Sequence, residues 1–137
     1  MKVFYFGNSL PVFSNVLLLI IRVFIGFAML THGFPKLQQL ISGTEIKFFN
    51  LLGLGDKYTL ILAVFAEFAC SIFVILGLFT RWALFFLIIT MSVAGLLVHG
   101  SDAFEKRELS LLYLAVYVLF LVIGPGKFSI DQLIRNK

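Results

Sequence analysis

The chain has 137 residues and a net charge of +4, with 61% hydrophobic and 13% charged residues and a mean hydropathy of +1.05. Soluble domains have about 45–50% apolar and about 25% charged residues, and a small domain has too much surface to hide such an excess. The composition therefore predicts an integral membrane protein of one domain. Its basic groups suit anionic lipid headgroups, and no basic patch with interleaved aromatic residues indicates nucleic-acid binding. The single cysteine, Cys70, excludes an internal disulfide.

Residues 1–13 are an aromatic lead-in that suits the membrane interface. A long apolar helix follows, which Gly33 and Pro35 are expected to end. It is interpreted as a retained span because Arg22 interrupts what would be the apolar core of a signal peptide.

Three further apolar stretches follow, since about 20 helical residues cover a hydrocarbon core of about 30 Å. The polar segment before the second span predicts a short interfacial helix capped by Thr44, or a re-entrant turn. A three-residue spacing of Ser129 and Gln132 predicts a capped amphipathic tail helix. The fold class is thus an all-α integral membrane bundle of four transmembrane helices, with predicted spans at residues 14–34, 58–79, 82–99 and 109–124. The short connection between the second and third spans predicts that they form an antiparallel hairpin.

Four crossings place both termini on one side of the membrane. The basic residues divide evenly between the two sides, which leaves the positive-inside rule almost undecided. The basic residues of the tail lack acidic neighbours, and this favours cytoplasmic termini.

Two ionisable residues lie within the apolar spans. Arg22 is expected to pair with Glu67 near the middle of the second span, because a lone charge at the bilayer centre costs roughly 2.5–3.5 kcal/mol. Such a pair is either a functional group or structural glue between helices, and the sequence leaves both interpretations open.

The opposite ends of the spans gather further polar side chains around one predicted mouth. His32 and Lys36 end the first span, His99 ends the third and Glu108 opens the fourth. Each histidine alone is commonly an ordinary interfacial residue, and Tyr113 shares a core-facing side of span 4 with Tyr117. Without an i, i+4 histidine pair or further thiolates, a metal or haem site is disfavoured.

The chain resembles the DoxX family of small bacterial membrane proteins from about residue 14 to 131. The resemblance rests on ordered motifs: R-x-x-x-G-x-x-x-x-x-H-G-x-x-K from Arg22 to Lys36, F-A-E-F at 65–68, L-G-L-x-T-R at 76–81, V-H at 98–99, E-x-x-x-x-Y from Glu108 to Tyr113 and G-P-G-x-x-S-x-D at 124–131. It implies a four-helix bundle in the bacterial cytoplasmic membrane. The family-pattern positions are Arg22, His32, Lys36, Glu67, Arg81, His99 and Glu108.

The resemblance also implies a link to redox chemistry, since some relatives are subunits of a thiosulfate:quinone oxidoreductase and others resemble membrane partners in redox defence. On the first hypothesis the chain is a quinone-linked oxidoreductase subunit that acts with partner chains and carries no intrinsic cofactor. His32, His99 and Glu67 are then the catalytic candidates. The candidates for substrate or anion binding are Arg22, Lys36, Arg81, Glu108 and Tyr113. The alternatives are a non-enzymatic membrane anchor for partner proteins and, less favoured, a small-solute pathway.

Overall fold

The computed structural model describes residues 10–137, so most of the lead-in predicted for residues 1–13 lies outside the described residues. The described part of the chain is helical, with no strand in it. The helices are α1 (Val12–Ile41), α2 (Asp56–Leu76), α3 (Thr80–Val98), α4 (Phe104–Ile123) and α5 (Ile130–Arg135). Of these, α1, α2 and α3 are long and apolar enough to cross a membrane.

The helices pack as neighbours along the chain. α2 and α3 form the predicted antiparallel hairpin across residues 77–79, while α1 packs along α2 and α4 packs along α3. Apolar side chains from all four long helices meet in one core. The members of this core are Met29, Cys70, Val74, Ala83, Leu84, Leu87, Met91, Tyr113, Tyr117 and Phe120.

The first helix does not stop where the sequence predicts. α1 runs on through Pro35 to Ile41, so the predicted end at Gly33 and Pro35 is wrong. A proline removes one backbone hydrogen bond, and membrane helices tolerate this loss where neighbouring groups compensate for it. The extra turns place Lys36 on a helix, from which its side chain reaches α2.

The interfacial helix predicted at Thr44 is reduced to a single 3₁₀ turn at Leu51–Gly53. Side chains bind the backbone N–H groups that a helix would need: Asn50 accepts from Gly55 N at 2.8 Å and Thr59 accepts from Leu51 N at 3.2 Å. Such side-chain bonds offer the backbone an alternative to helix formation. We call residues 42–55 the cover segment, because it lies over a cavity described below.

Small residues let α1 and α2 approach closely. A methyl group on Gly33 would lie 2.7 Å from the carbonyl carbon and oxygen of Glu67, and one on Gly26 would lie 2.4 Å from Ile75 Cγ1. Close packing at small residues is a main source of helix association in lipid, where burial from water contributes little. The backbone of Glu67 is therefore fixed against α1.

Arg22 contacts the closing loop of the chain and not Glu67. Its guanidinium donates to the carbonyl of Pro125 and, at 2.7 Å, to that of Phe128, and the side chain is 1% exposed. The predicted Arg22–Glu67 pair is wrong because Arg22 lies level with the turn at Gly77, where an added methyl group would approach Nη1 to 2.9 Å. Backbone carbonyls at the end of α4 satisfy the charge instead.

Asp131 completes this closing loop. Its carboxylate accepts from Phe79 N at 2.7 Å and from Thr80 N at 2.9 Å, so it caps the start of α3. The predicted cap of α5 is confirmed, since Ser129 accepts from Gln132 N at 3.3 Å. Residues 124–131 and the guanidinium of Arg22 thus tie the tail to the α2–α3 turn, and we call this arrangement the closing latch.

We expect Gly33→Ala to lower the free energy of unfolding by about 1–3 kcal/mol, because its new methyl group would meet the Glu67 backbone, which cannot rotate away. Unfolding in mixed detergent, followed by circular dichroism, measures the change. Gly95→Ala is the control, since its methyl group would meet the movable end of Leu111 at 3.3 Å. Equal losses in both variants would contradict the close approach inferred at Gly33.

We expect Arg22→Lys to lower stability by about 1.5–3 kcal/mol, because one ammonium cannot reproduce the fork that binds two carbonyls. The same unfolding assay measures this loss. A stability equal to that of the wild-type chain would show that the latch does not depend on the guanidinium.

Candidate functional site

A buried ion pair joins α1 and α2. Lys36 Nζ lies 2.6 Å from both carboxylate oxygens of Glu67, whose side chain is only 4% exposed. Side chains tilt toward the N-terminus of their helix, so the Lys36 ammonium reaches back toward the level of Gly33 and Glu67. The pair gives each charge the partner that a low-dielectric position requires.

Two helices, α2 and α3, depart from α-helical geometry near this ion pair. α2 contains a π-helical stretch at Phe65–Cys70, which includes Glu67, and α3 ends in another at Val93–Val98. The second stretch closes with a bond from His99 N to Ala94 O at 3.0 Å. Short π-helical turns occur frequently at functional sites, because they redirect side chains and loosen the backbone.

An apolar cavity of about 720 Å³ lies between α2, α3 and the cover segment. Its lining includes Lys36 and Glu67 of the ion pair and the imidazole of His99. Exposed apolar side chains at its rim, Leu62, Phe65, Phe86 and Ile89, place its mouth on the surface that faces lipid. The other lining residues are Lys47, Phe48, Phe49, Leu51, Asp56, Thr59, Ala63, Ala66, Thr90, Val93, Ala94 and Val98.

The cover segment is tied to α2 over this cavity. Phe48 N donates to Asp56 at 3.3 Å, next to the bond between Leu51 and Thr59. The Phe48 ring also lies 5.7 Å from Lys36 Nζ, within the range of a cation–π contact. The ammonium thus touches both the carboxylate below it and the cover above it.

A second cavity, of about 210 Å³, lies on the other side of the ion pair, between α1, α3 and α4. We call it the polar pocket. It shares Lys36, Glu67, Ala94 and His99 with the apolar cavity. Its remaining walls are Met29, His32, Met91, Lys106, Leu109, Ser110 and Tyr113.

His99 is held by a carboxylate from the loop that follows it. Its Nδ1 lies 2.8 Å from Asp102 Oδ2. The hydrogen bond with His99, assisted by the charge of Lys106, holds the pKa of Asp102 below its ordinary value. An ionised carboxylate only accepts hydrogen bonds, so Nδ1 carries a hydrogen and Nε2 is left for another partner.

His32 lies on the opposite wall of the polar pocket. Its ring meets Tyr113 edge-on with centroids 5.9 Å apart, and Tyr113 stacks on the buried Tyr117 at the same distance. The tyrosines therefore connect the pocket to the core. Tyr113 has the core packing expected from the sequence and also lines the pocket.

The structure brings together five of the eight predicted site residues: His32, Lys36, Glu67, His99 and Tyr113. Arg22 lies in the closing latch, and Arg81 lies in the first turn of α3, roughly 27 Å from His99 along the helix. Glu108 is exposed on α4 and lines neither cavity. These three residues do not share the site.

Sequence reasoning missed Asp102 and Lys106, which lie in a charged run and have the composition of a solvated loop. The signal for Asp102 is its spacing, three residues after His99, across a turn that brings the two side chains together. Asp56 and Thr59 were also missed, and they follow a Gly-rich segment as ordinary helix-start residues. Among residues 10–137, no group of three or more His, Cys, Asp or Glu side chains is arranged to hold a metal ion.

We expect Lys36→Met to destabilise the chain by about 3–5 kcal/mol, because it leaves the buried carboxylate of Glu67 without its partner. Glu67→Gln should cost less, because the Lys36 ammonium that it leaves is 29% exposed. The double variant should lose much less, since it removes both charges. Unfolding free energies of the four proteins give the coupling between the two residues. Additive losses would show that the residues do not form an ion pair in the folded protein.

Comparison with known proteins places the chain in a family. A relative from Haemophilus influenzae, described as an uncharacterized protein, is 31% identical over 91% of this chain and 96% of its own length. The inner membrane protein YphA of Escherichia coli is 29% identical over 96% of this chain and 97% of its own length. No solved structure matches. The DoxX family matches residues 17–100, and together with these relatives and its apolar helices this shows that the chain is a membrane protein of the DoxX family.

Proposed function

We propose that this protein binds a quinone in the apolar cavity and serves as a membrane subunit of a quinone-linked oxidoreductase or redox-defence system. The observation that carries the proposal is a largely apolar cavity whose lining includes an ion pair and an imidazole. Ligand sites commonly combine apolar walls with a few convergent polar groups. A quinone has the matching shape, with a lipid-soluble tail and two carbonyl oxygens on its ring.

The cavity offers each part of a quinone a suitable environment. Its exposed apolar lining residues, Leu62, Phe65, Phe86 and Ile89, would contact the tail from the lipid. Among the lining side chains, Lys36 carries N–H donors that suit a carbonyl oxygen, and His99 Nε2 becomes such a donor when the imidazole is protonated. Both donors are already oriented, Lys36 by Glu67 and His99 by Asp102.

Reduction of a quinone to a quinol takes two electrons and two protons. On this proposal the electrons come from a redox centre on a partner chain, and the protons come through His99, with His32 nearby as a second imidazole. Histidine suits this task because its unperturbed pKa of about 6.5 allows it to gain and lose a proton near neutral pH. The reaction therefore belongs to a complex in which this chain is one subunit.

The same proposal includes the membrane arrangement. The chain forms one membrane domain, and α4 is the fourth crossing, since residues 109–123 of this helix are mostly apolar after the charged run 105–108. Both termini then lie on one side, in the cytoplasm by the charge argument given above. The membrane is the cytoplasmic membrane of a bacterium, as the name of the relative YphA suggests.

A non-enzymatic anchor for partner proteins is the second candidate. The exposed charged side chains Glu105, Lys106 and Glu108 at the start of α4 favour it, because they offer a docking surface outside the bilayer. A small-solute pathway would need passage across the ion pair, which separates the two cavities.

We expect the wild-type chain in lipid nanodiscs to bind a short-chain ubiquinone analogue, and Thr90→Phe to weaken that binding at least tenfold by filling the apolar cavity. Thr31→Phe is the matched control, because Thr31 is exposed on α1 and lines neither cavity. Equilibrium titration of tryptophan fluorescence measures both affinities, with Trp82 as the reporter.

Native mass spectrometry of the gently solubilised complex separates the candidates. A retained quinone supports the redox subunit. Stable protein partners without quinone, together with no binding in the titration, would contradict the redox proposal and support the anchor.

A further inference from the structure

The two cavities meet at a shared wall. Lys36, Glu67, Ala94 and His99 line both of them, although one cavity faces lipid and the other is bounded by exposed His32 and Lys106. The ion pair fills much of this wall with groups already bonded to each other. His99 is the shared side chain that keeps one ring nitrogen outside its contact with Asp102.

We propose that the polar pocket is a water-filled chamber that brings protons from the loop-side surface to His99, which passes them to a ligand in the apolar cavity. The purpose of the chamber rests on the function proposed above, but the access of water to His99 does not. The route needs no residue between the two cavities other than His99, since its side chain lines both of them.

The size and lining of the polar pocket favour water. Its volume of about 210 Å³ exceeds several times the roughly 30 Å³ that one molecule occupies in the liquid. Ordered water needs two to four polar partners, and the pocket is lined by seven polar side chains. These partners are His32, Lys36, Glu67, His99, Lys106, Ser110 and Tyr113.

Asp102 is the positioning residue of this route. By accepting the Nδ1 hydrogen it leaves Nε2 to exchange the transferred proton, and its negative charge stabilises the imidazolium formed in between. The imidazolium gives the Nε2 proton to the ligand oxygen and regains one from chamber water. The titratable groups around His99 are Lys36 and His32 from α1, Glu67 from α2, Lys106 and Tyr113 from α4, Lys47 and Asp56 across the apolar cavity, and Asp102.

Exchange of the imidazole C2 hydrogen for deuterium, measured by mass spectrometry on the full chain in nanodiscs, reports water access to each histidine. Lys106→Trp places a large ring at the exposed rim of the pocket and should slow exchange at His99 at least about fivefold. Glu105→Trp is the control, because it adds the same ring one residue away, where it lines neither cavity. Lys106→Ala removes the charge without closing the rim and should leave exchange at His99 undiminished.

Ser110→Leu is a smaller change that fills the pocket from within. It keeps the test decisive if the Lys106→Trp variant does not fold. Unchanged exchange at His99 in both Lys106→Trp and Ser110→Leu would overturn the chamber. An equal slowing in Glu105→Trp would also overturn it, since the effect would then not depend on the pocket.

The outcome is separable from that of the quinone proposal. Lys106→Trp should bind the ubiquinone analogue as the wild-type chain does, because Lys106 does not line the apolar cavity. Quinone binding with no effect of the pocket variants would contradict the chamber alone. Slowed exchange at His99 with no quinone binding would contradict the proposed function and leave the water route in place.

Discussion

The ion pair of Lys36 and Glu67 is the constraint around which the loop-side half of the bundle is built. Glu67 lies midway along α2, where an unpaired carboxylate would be expensive in lipid, so an ammonium must reach it. That requirement explains why α1 continues past Pro35 and why Gly33 lies directly on the Glu67 backbone. A larger residue at Gly33 would separate the helices and lengthen the contact. The packing of α1 on α2 and the pairing of the charges therefore depend on each other.

At the opposite end of the bundle, a buried charge is stabilised by backbone groups of the chain. Arg22 is as buried as Glu67, but backbone carbonyls of the closing loop receive its guanidinium, while Asp131 receives two N–H groups from the start of α3. Arg22 and Asp131 are thus bound by peptide groups that have no intrahelical partner, since they lie at a helix end and in a turn. At this end of the molecule, the charged side chains are therefore already bound to the chain's own backbone. The cavities, and with them the candidate chemistry, lie at the other end.

The sequence predicted the helical membrane fold, the α2–α3 hairpin and the cap at Ser129, because these follow from local patterns of apolar, glycine and capping residues. It assigned the wrong partner to Glu67, because α1 is displaced along α2 so that Arg22 lies level with the turn at Gly77 and away from Glu67. Relative displacement of helices is set by interhelical packing and leaves no periodic signal. Asp102 was missed for a related reason, because its role follows from the turn after His99 and its residue type is ordinary for a loop.

The difference between the ion pair and His99 decides which group can act during a reaction. Breaking a buried ion pair costs several kcal/mol, so Lys36 and Glu67 hold the site in shape and are poor candidates for repeated changes of charge. His99 lies beyond the last turn of α3, is partly exposed and has Asp102 as the hydrogen-bond partner of its Nδ1. It can gain or lose a proton without unpairing a buried charge. On the proposed function, the ion pair therefore keeps the shape of the wall between the two cavities, and His99 is the group in that wall that would carry the proton.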